Sequence, residues 1–229
     1  MSQKVGAVIL AAGFSSRMAD FKPLLPLDGT SLLGFVARTL RRSGLTDILA
    51  VAGHRAGEVQ AEAARLSLYC AFNPDFSQGM FSSVLVGMNA LPQGLDAVLV
   101  LPVDIPLVRP RTIRELCGRA GQCPVCYPTF QGKRGHPPLI DAGLLPDIAA
   151  WPGDNGLAGA LRAVEQRLGA QEAAVADENI LFDLDTPEDY RQARLRLEAP
   201  SGCITKICAG SGLESGYNSG LILRGDSHD

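Results

Sequence analysis

Residues 10–18 of this chain read LAAGFSSRM, and Lys22 follows four residues later. Small residues and Gly13 let the backbone come close to a ligand, and consecutive N–H groups in such a turn can form a nest that holds an anion. Arg17 and Lys22 add two cations to the same loop, a combination suited to a triphosphate. The spacing is neither the GxxxxGKS/T of a Walker loop nor the GxGxxG of a dinucleotide loop. A tight turn with solvated cations is the alternative. The second segment is Pro102-Val103-Asp104-Ile105-Pro106, in which flanking prolines hold a carboxylate rigidly and keep it from capping a helix. Because Mg²⁺ binds through one or two carboxylates plus substrate phosphates, Asp104 is a candidate Mg²⁺ ligand, with a turn-forming Asp as the plainer reading. The third is Phe182-Asp183-Leu184-Asp185, where carboxylates at i and i+2 of an extended segment face the same way. One of them could complete a metal site with Asp104; a solvated strand end is the alternative.

These segments must be carried by elements that bring them together. Apolar runs of strand length at 5–10 (VGAVIL), 47–52 (DILAVA) and 97–101 (AVLVL) are continuous, as expected for strands buried on both faces. Between them, 31–42, 56–65 and 82–91 read as helices, the first with Leu32, Leu33, Phe35, Val36 and Leu40 on one face. This alternation predicts an α/β fold, a three-layer Rossmann-like unit with a mostly parallel central sheet. In such sheets ligands bind beyond the carboxyl ends of the strands, where the three loaded segments fall. Thr186-Pro187-Glu188-Asp189 is a helix start, with Thr186 as cap and Pro187 in the first helical position, and Tyr190, Ala193 and Leu197 supply an apolar stripe. The pattern stops after Glu198. Residues 199–229 hold six Gly and five Ser and read as a tail outside a domain spanning 1–198.

Composition narrows the function. The 229 residues are 46% hydrophobic and 20% charged, with a net charge of -3. A disordered chain is excluded, and neither nucleic acid nor an anionic membrane is an expected partner. No apolar run reaches the ~18–20 residues of a membrane helix. The run at 5–12 has only Lys4 before it and reads as a strand entering a glycine loop rather than as an export signal. Six cysteines, at 70, 117, 123, 126, 203 and 208, include one CxxC pair, Cys123 and Cys126, without a matching second pair. A structural or incidental role for the cysteines and a cytoplasmic location are the expectations.

Six motifs in order resemble a known family. They are LAAGFSSRM with Lys22; Asn73-Pro74 followed by Gly79-Met80-Phe81-Ser82-Ser83; Val103-Asp104-Ile105-Pro106; Gly132-Lys133-Arg134-Gly135-His136-Pro137; Gly153-Asp154-Asn155-Gly156; and Asp183-Leu184-Asp185-Thr186-Pro187. Over about 1–198 the chain resembles the MobA-like nucleotidyltransferases, most closely the molybdenum cofactor cytidylyltransferases. Ala11-Ala12-Gly13, GKRGHP and the GM-x-SS segment are typical of the cytidylyl rather than the guanylyl branch. The resemblance implies transfer of CMP from CTP to the terminal phosphate of a molybdopterin-type cofactor, with release of pyrophosphate and dependence on Mg²⁺. It implies catalytic roles for Arg17, Lys22 and Asp104, and metal ligation by Asp104 with Asp185 as preferred partner. The nucleotide would lie on Leu10, Ala11, Ala12, Gly13, Ser15, Ser16, Arg17, Lys22, Gly79, Ser82, Ser83 and Asp104. For Ser82 and Ser83, helix N-capping is the competing reading. Arg134, His136 and Asp154 would bind the acceptor. Relatives follow Gly156 with Ala-Arg, whereas Leu157-Ala158 stands here, so a cation near the acceptor's phosphate is missing or comes from Arg162 or Arg134. The product would pass to a recipient molybdoenzyme or its chaperone. A guanylyltransferase, a sugar-phosphate nucleotidyltransferase and a non-catalytic carrier of the molybdenum cofactor are the alternatives.

Overall fold

The computed structural model describes residues 3–198, apart from Ala19; the expected tail at 199–229, with Cys203, Cys208 and His228, lies outside the described residues. In chain order the elements are β1 (Val5–Ala11), β2 (Pro26–Leu27), β3 (Thr30–Ser31), α1 (Leu32–Arg42), β4 (Asp47–Ala52), α2 (Ala56–Arg65), β5 (Tyr69–Phe72), α3 (Met80–Ala90) and β6 (Ala97–Pro102). They continue with α4 (Pro110–Cys117), β7 (Val125–Phe130), β8 (Lys133–Arg134), β9 (Leu139–Asp141), α5 (Leu145–Ala149), α6 (Gly156–Leu168), β10 (Gln171–Ala174) and α7 (Pro187–Glu198).

The main sheet runs β10-β7-β9-β6-β1-β4-β5, and β8 pairs with β7. It is mostly parallel: β1 lies between β4 and β6 with Ile9 opposite Ala50 on one side and Leu101 on the other, while β9 runs antiparallel to β6 and β7. Each face of β1 feeds a separate core, which is why its apolar run is unbroken. Ala7, Ile9 and Ala11 pack with the inward residues of α1, α2 and α4. Val8 and Leu10 pack with those of α3, α5 and α6. The expected three-layer Rossmann-like fold is therefore the observed one.

Side-chain capping sets the starts of α1 and α7. Ser31 caps α1 by accepting from the Gly34 N–H at 3.0 Å. Thr186 caps α7 reciprocally: its hydroxyl accepts from the Asp189 N–H at 3.2 Å, and the Asp189 carboxylate accepts from the Thr186 N–H at 2.8 Å. Two expectations need correction. Helix α3 begins at Met80, with Gly79 (φ 109°) making the turn into it, so Ser82 and Ser83 lie inside the first turn and neither caps the helix. In α7, Ala193 is buried and Tyr190 half-buried, but Leu197 is exposed, so the expected apolar stripe does not reach the last turn.

Gly87 sets how closely α3 approaches the sheet. A β-carbon there would lie 2.4 Å from Val8 Cγ1 and 3.0 Å from Val51 Cγ2, in the middle of β1 and β4. Gly87→Ala gains about 1 kcal/mol of helix propensity but overpacks a core that resists it by about 1–3 kcal/mol. The expected net loss is about 1 kcal/mol, read as a fall in Tm of about 2–4 °C by differential scanning calorimetry; an unchanged or higher Tm would show that α3 can shift freely.

Candidate active site

The site forms beyond the carboxyl ends of β1 and β6. The carbonyl of Leu10 accepts from the Val103 N–H at 3.0 Å and that of Ala12 from the His54 N–H at 3.0 Å, so the neighbouring strands hold the start of the loop. After this the loop turns away. Among the described residues, no N–H of Gly13, Phe14, Ser15 or Ser16 donates to a protein acceptor, which leaves a row of donors for a bound anion. Ser15, with φ at 57°, accepts on its hydroxyl from the Lys22 N–H at 3.0 Å and so anchors the short turn that carries Lys22.

The Lys22 side chain is buried and ends among acids. Its Nζ lies 3.2 Å from Asp104 and 2.6 Å from Asp185, and Arg17 reaches the other Asp185 oxygen at 2.6 Å. Burial alone would lower the Lys22 pKa, but the hydrogen bonds and charges of Asp185 and Asp104 outweigh it and hold the pKa above the usual lysine value. Asp104, Asp183 and Asp185 each bring one oxygen within 4.8 Å of the others. The backbone explains this convergence. The Leu184 N–H donates to the Asp104 carbonyl at 2.8 Å while the Leu184 side chain is fully buried, so the residues on either side of it turn toward Asp104.

Asp183 differs from its neighbours. It has no hydrogen-bond or ion-pair partner among the described residues, and desolvation, reinforced by the charges of Asp104 and Asp185 and partly opposed by Lys22 and Arg17, raises its pKa to about 6. A carboxylate with a folded-state pKa above its unfolded value costs stability increasingly as pH rises through about 6, and the cost is complete above it. Full burial would make this about 3 kcal/mol; for an exposed group screened by solvent, about 1 kcal/mol is expected. Asp183→Asn should therefore raise the Tm of the metal-free protein by about 2–4 °C at pH 8 and by little at pH 4. Thermal melts in chelator at both pH values check this, and equal shifts at the two would contradict it.

Two clefts meet at this point. The first, about 410 Å³, is lined by Leu10, Ala12, Gly13, Ser15, Lys22, Gly79, Ser83 and Asp104 among the residues singled out from sequence, together with Phe14, Phe76 and Met80. Ala11 lies buried behind it, and Ser16 and Arg17 are exposed outside its lining. Ser82 does not line it: its hydroxyl is held by the Asp75 carbonyl at 3.0 Å, the Gly79 carbonyl at 2.9 Å and the Asn73 amide at 2.9 Å. The Asn73 amide also donates to Ser83, at 2.9 Å. The second cleft, about 670 Å³, shares Leu10, Gly79, Met80 and Pro102 with the first and extends to Arg134, His136, Gly156 and α6. His136 Nδ1 is buried without a partner, and burial holds the imidazole pKa below its usual value against the charge of Asp104. Asp154 is exposed outside the lining, and its carbonyl accepts from Trp151 Nε1 at 2.9 Å.

Sequence reasoning passed over an aromatic group at the rim. The rings of Phe14 and Phe76 are 5.2 Å apart, and His54 stands 5.1 Å from Phe14 and edge-on to Phe21 at 5.7 Å. Nothing in the spacing of these four residues marks them as neighbours. A third cleft, also about 670 Å³, opens between the β2–β3 hairpin, α2 and α7, away from the acids; there Glu62 is taken up by Arg65 and Ser31. The thiols of Cys123 and Cys126 are free, and burial raises the Cys126 pKa to about 11, which makes it a poor nucleophile. Among the described residues the acidic trio is the only group of His, Cys, Asp or Glu side chains spaced to hold a metal, and no helix is long and apolar enough to cross a membrane.

Comparison with known proteins agrees with this geometry. The chain is 33% identical over 199 residues to the nicotine blue oxidoreductase of Paenarthrobacter nicotinovorans, with 82% of this chain and 95% of that one covered. It is 28% identical over 196 residues to the molybdenum cofactor cytidylyltransferase of Escherichia coli, covering 84% and 96%. A bifunctional IPC transferase and DIPP synthase of Rubrobacter xylanophilus is 39% identical over 108 residues, 44% of this chain, and the match spans only 25% of that relative's length. Among solved structures, a nucleotidyl transferase from Methanothermobacter superposes with a TM-score of 0.76 at 25% identity, covering 85% of this chain and 98% of the other. Residues 7–171 match the MobA-like NTP transferase domain, a span that takes in Lys22, Asp104 and His136 and stops before Asp183 and Asp185. The chain belongs to the MobA-like NTP transferase family and is a nucleotidyltransferase.

Proposed function

We propose that the protein transfers CMP from CTP to the terminal phosphate of a molybdopterin-type cofactor, releasing pyrophosphate. The observation that carries this reading is the junction of the two clefts: a cation-bearing glycine loop and Asp104 in one, an elongated cleft in the other, and a common wall between them. A triphosphate in the first would present its α-phosphorus to a phosphate arriving from the second. An acceptor oxygen forms the new bond to the α-phosphorus as the bond to the β-phosphate's bridging oxygen breaks, so no enzyme nucleophile is needed. Catalysis is then positioning and charge stabilisation.

The acidic trio fits a hard divalent cation, with Asp104 and Asp185 as the proposed Mg²⁺ ligands and Asp183 within reach. Bound Mg²⁺ would neutralise phosphate charge and polarise the reacting phosphoryl group. Lys22 and Arg17, which both pair with Asp185, would turn to the phosphates and the leaving pyrophosphate. Backbone donors from Gly13 to Ser16 would hold the triphosphate. Gly79 and Ser83 would border the base, while Ser82 and Asn73 fix the start of α3. His136 would offer its unpartnered ring nitrogen to the acceptor, with Arg134 in the cleft wall and Asp154 at its mouth. The Ala11-Ala12-Gly13 loop and the Escherichia coli relative support CTP over GTP. We assign residues 1–198 as the transferase domain, the cytoplasm as its location, and a recipient molybdoenzyme or its chaperone as the protein that takes the product.

The test is pyrophosphate release from CTP, GTP, ATP or UTP with Mg²⁺ and molybdenum cofactor. Release with CTP alone is expected. Release with GTP would move the protein to guanylyl transfer, and release only with a sugar phosphate would change the acceptor. Cofactor binding without release would indicate a carrier, and reduction of nicotine blue without release would align the protein with its oxidoreductase relative.

A further inference from the structure

We propose that Arg162 is the residue that grips the anionic end of the acceptor, and that Arg134 is a positioning residue whose charge is spent inside the protein. This rests on the acceptor reading of the second cleft given above. Both arginines line that cleft, but their surroundings are opposite. Arg134 gives Nη1 and Nη2 to the two Glu165 oxygens at 2.9 and 2.7 Å and Nε to Glu172 at 2.7 Å. Its guanidinium also lies over the Tyr127 ring, 4.5 Å from the centroid. The hydrogen bonds it donates to Glu165 and then to Glu172 hold its pKa above the usual arginine value. A phosphate approaching Arg134 would have to displace a bidentate carboxylate and would meet a second one beside it.

Arg162 sits one turn before Glu165 on α6, yet both Glu165 oxygens already serve Arg134. Only its Nε is engaged, donating to the Ala158 carbonyl at 3.2 Å, and its terminal nitrogens have no partner among the described residues. Before it α6 lines the cleft with Gly156, Leu157, Ala158 and Leu161, none of them charged, so among the described residues Arg162 is the unpaired cation that this helix brings to the cleft. A guanidinium with two free terminal nitrogens matches a phosphate monoester bidentately. Phe81, Tyr127 and Leu161 line the same cleft and suit an acceptor whose body is planar and weakly polar.

The test uses the full chain and molybdopterin as probe. Its Kd is measured by equilibrium dialysis and its KM by pyrophosphate release from CTP. Arg162→Gln is expected to raise both by about 10- to 100-fold while leaving the Kd of Mg²⁺–CTP unchanged, and Arg162→Lys to recover part of the loss. Arg167→Gln, on the same helix but paired with Asp147 outside the cleft, should match wild type. Arg134→Gln should weaken binding because it frees Glu165, and the double variant Arg134→Gln/Glu165→Gln should restore it to within about 3-fold. Wild-type Kd and KM in Arg162→Gln, or a double variant as weak as Arg134→Gln alone, would overturn the assignment while leaving CMP transfer intact. Arg162-dependent binding without pyrophosphate release from any nucleotide would overturn the transfer and keep the assignment. No binding and no release would overturn both.

Discussion

Asp104→Asn lowers pyrophosphate release by about 10³-fold or more while leaving the protein folded: this is the largest effect the site leads us to expect. Loss of a single well-placed charge stabiliser costs ~10²–10³ in rate, and Asp104 is also a proposed metal ligand, whose loss removes the cation's own stabilisation of phosphate charge. The fold should tolerate the change. Asn is nearly isosteric, and the Leu184 N–H bonds to the Asp104 backbone carbonyl, which the substitution leaves in place. The side-chain ion pair to Lys22, at 3.2 Å, is the longer of the two that Lys22 makes, and its loss is offset by relief of repulsion from Asp183 and Asp185. Turnover with saturating CTP and Mg²⁺, measured beside a thermal melt, decides the matter. Activity within tenfold of wild type would remove Asp104 from the reaction, and a collapse in Tm would make its role structural.

Lys22→Ala is expected to lower kcat by about 10²–10³, with a distinct signature in stability. Lys22 is only 7% exposed and is the one cation bonded to both Asp104 and Asp185 among the described residues. Its removal leaves three converging carboxylates with Arg17 as their remaining ion-pair partner. Breaking a fully buried pair costs about 3–5 kcal/mol; these acids keep about a quarter of their side-chain surface in water, so about 1–2 kcal/mol is expected. Mg²⁺ should restore much of this, because a divalent ion supplies the charge the lysine took away. Melts with and without Mg²⁺ check it: a variant as stable as wild type without metal would mean that Lys22 does not hold the acids together. The raised Lys22 pKa places no titration near neutrality, since its stabilising charge is present below the unfolded lysine value and lost only above it. Asp183 costs the metal-free protein stability as pH rises toward about 6, whereas buried His136, with its pKa held below the usual imidazole value, costs stability as pH falls below that value.

Much of the fold was legible from short stretches of sequence. The continuous apolar runs at 47–52 and 97–101 are β4 and the greater part of β6, because a strand covered on both faces needs no polar alternation. The reading of 56–65 as a helix matches α2, and Thr186-Pro187 marks the start of α7 as expected. Where a boundary was missed, a backbone geometry invisible to periodicity intervened: Gly79 at φ 109° starts α3 two residues before Ser82.

The sequence by itself determined which residues could do phosphate chemistry and on which ends of which strands they would lie, since residue type and short-range periodicity are local properties. The tertiary structure alone decided which charges are already spent. Lys22 bonds Asp104 across 82 positions and Asp185 across 163, and Arg134 is matched by Glu165 and Glu172 from two separate elements. It also decided that Leu184, by burying its side chain and giving its N–H to Asp104, turns Asp183 and Asp185 into one acidic group with it. An ion pair depends on the distance between two side chains, and that distance is set by packing between elements far apart in the chain, on which local residue spacing carries no information.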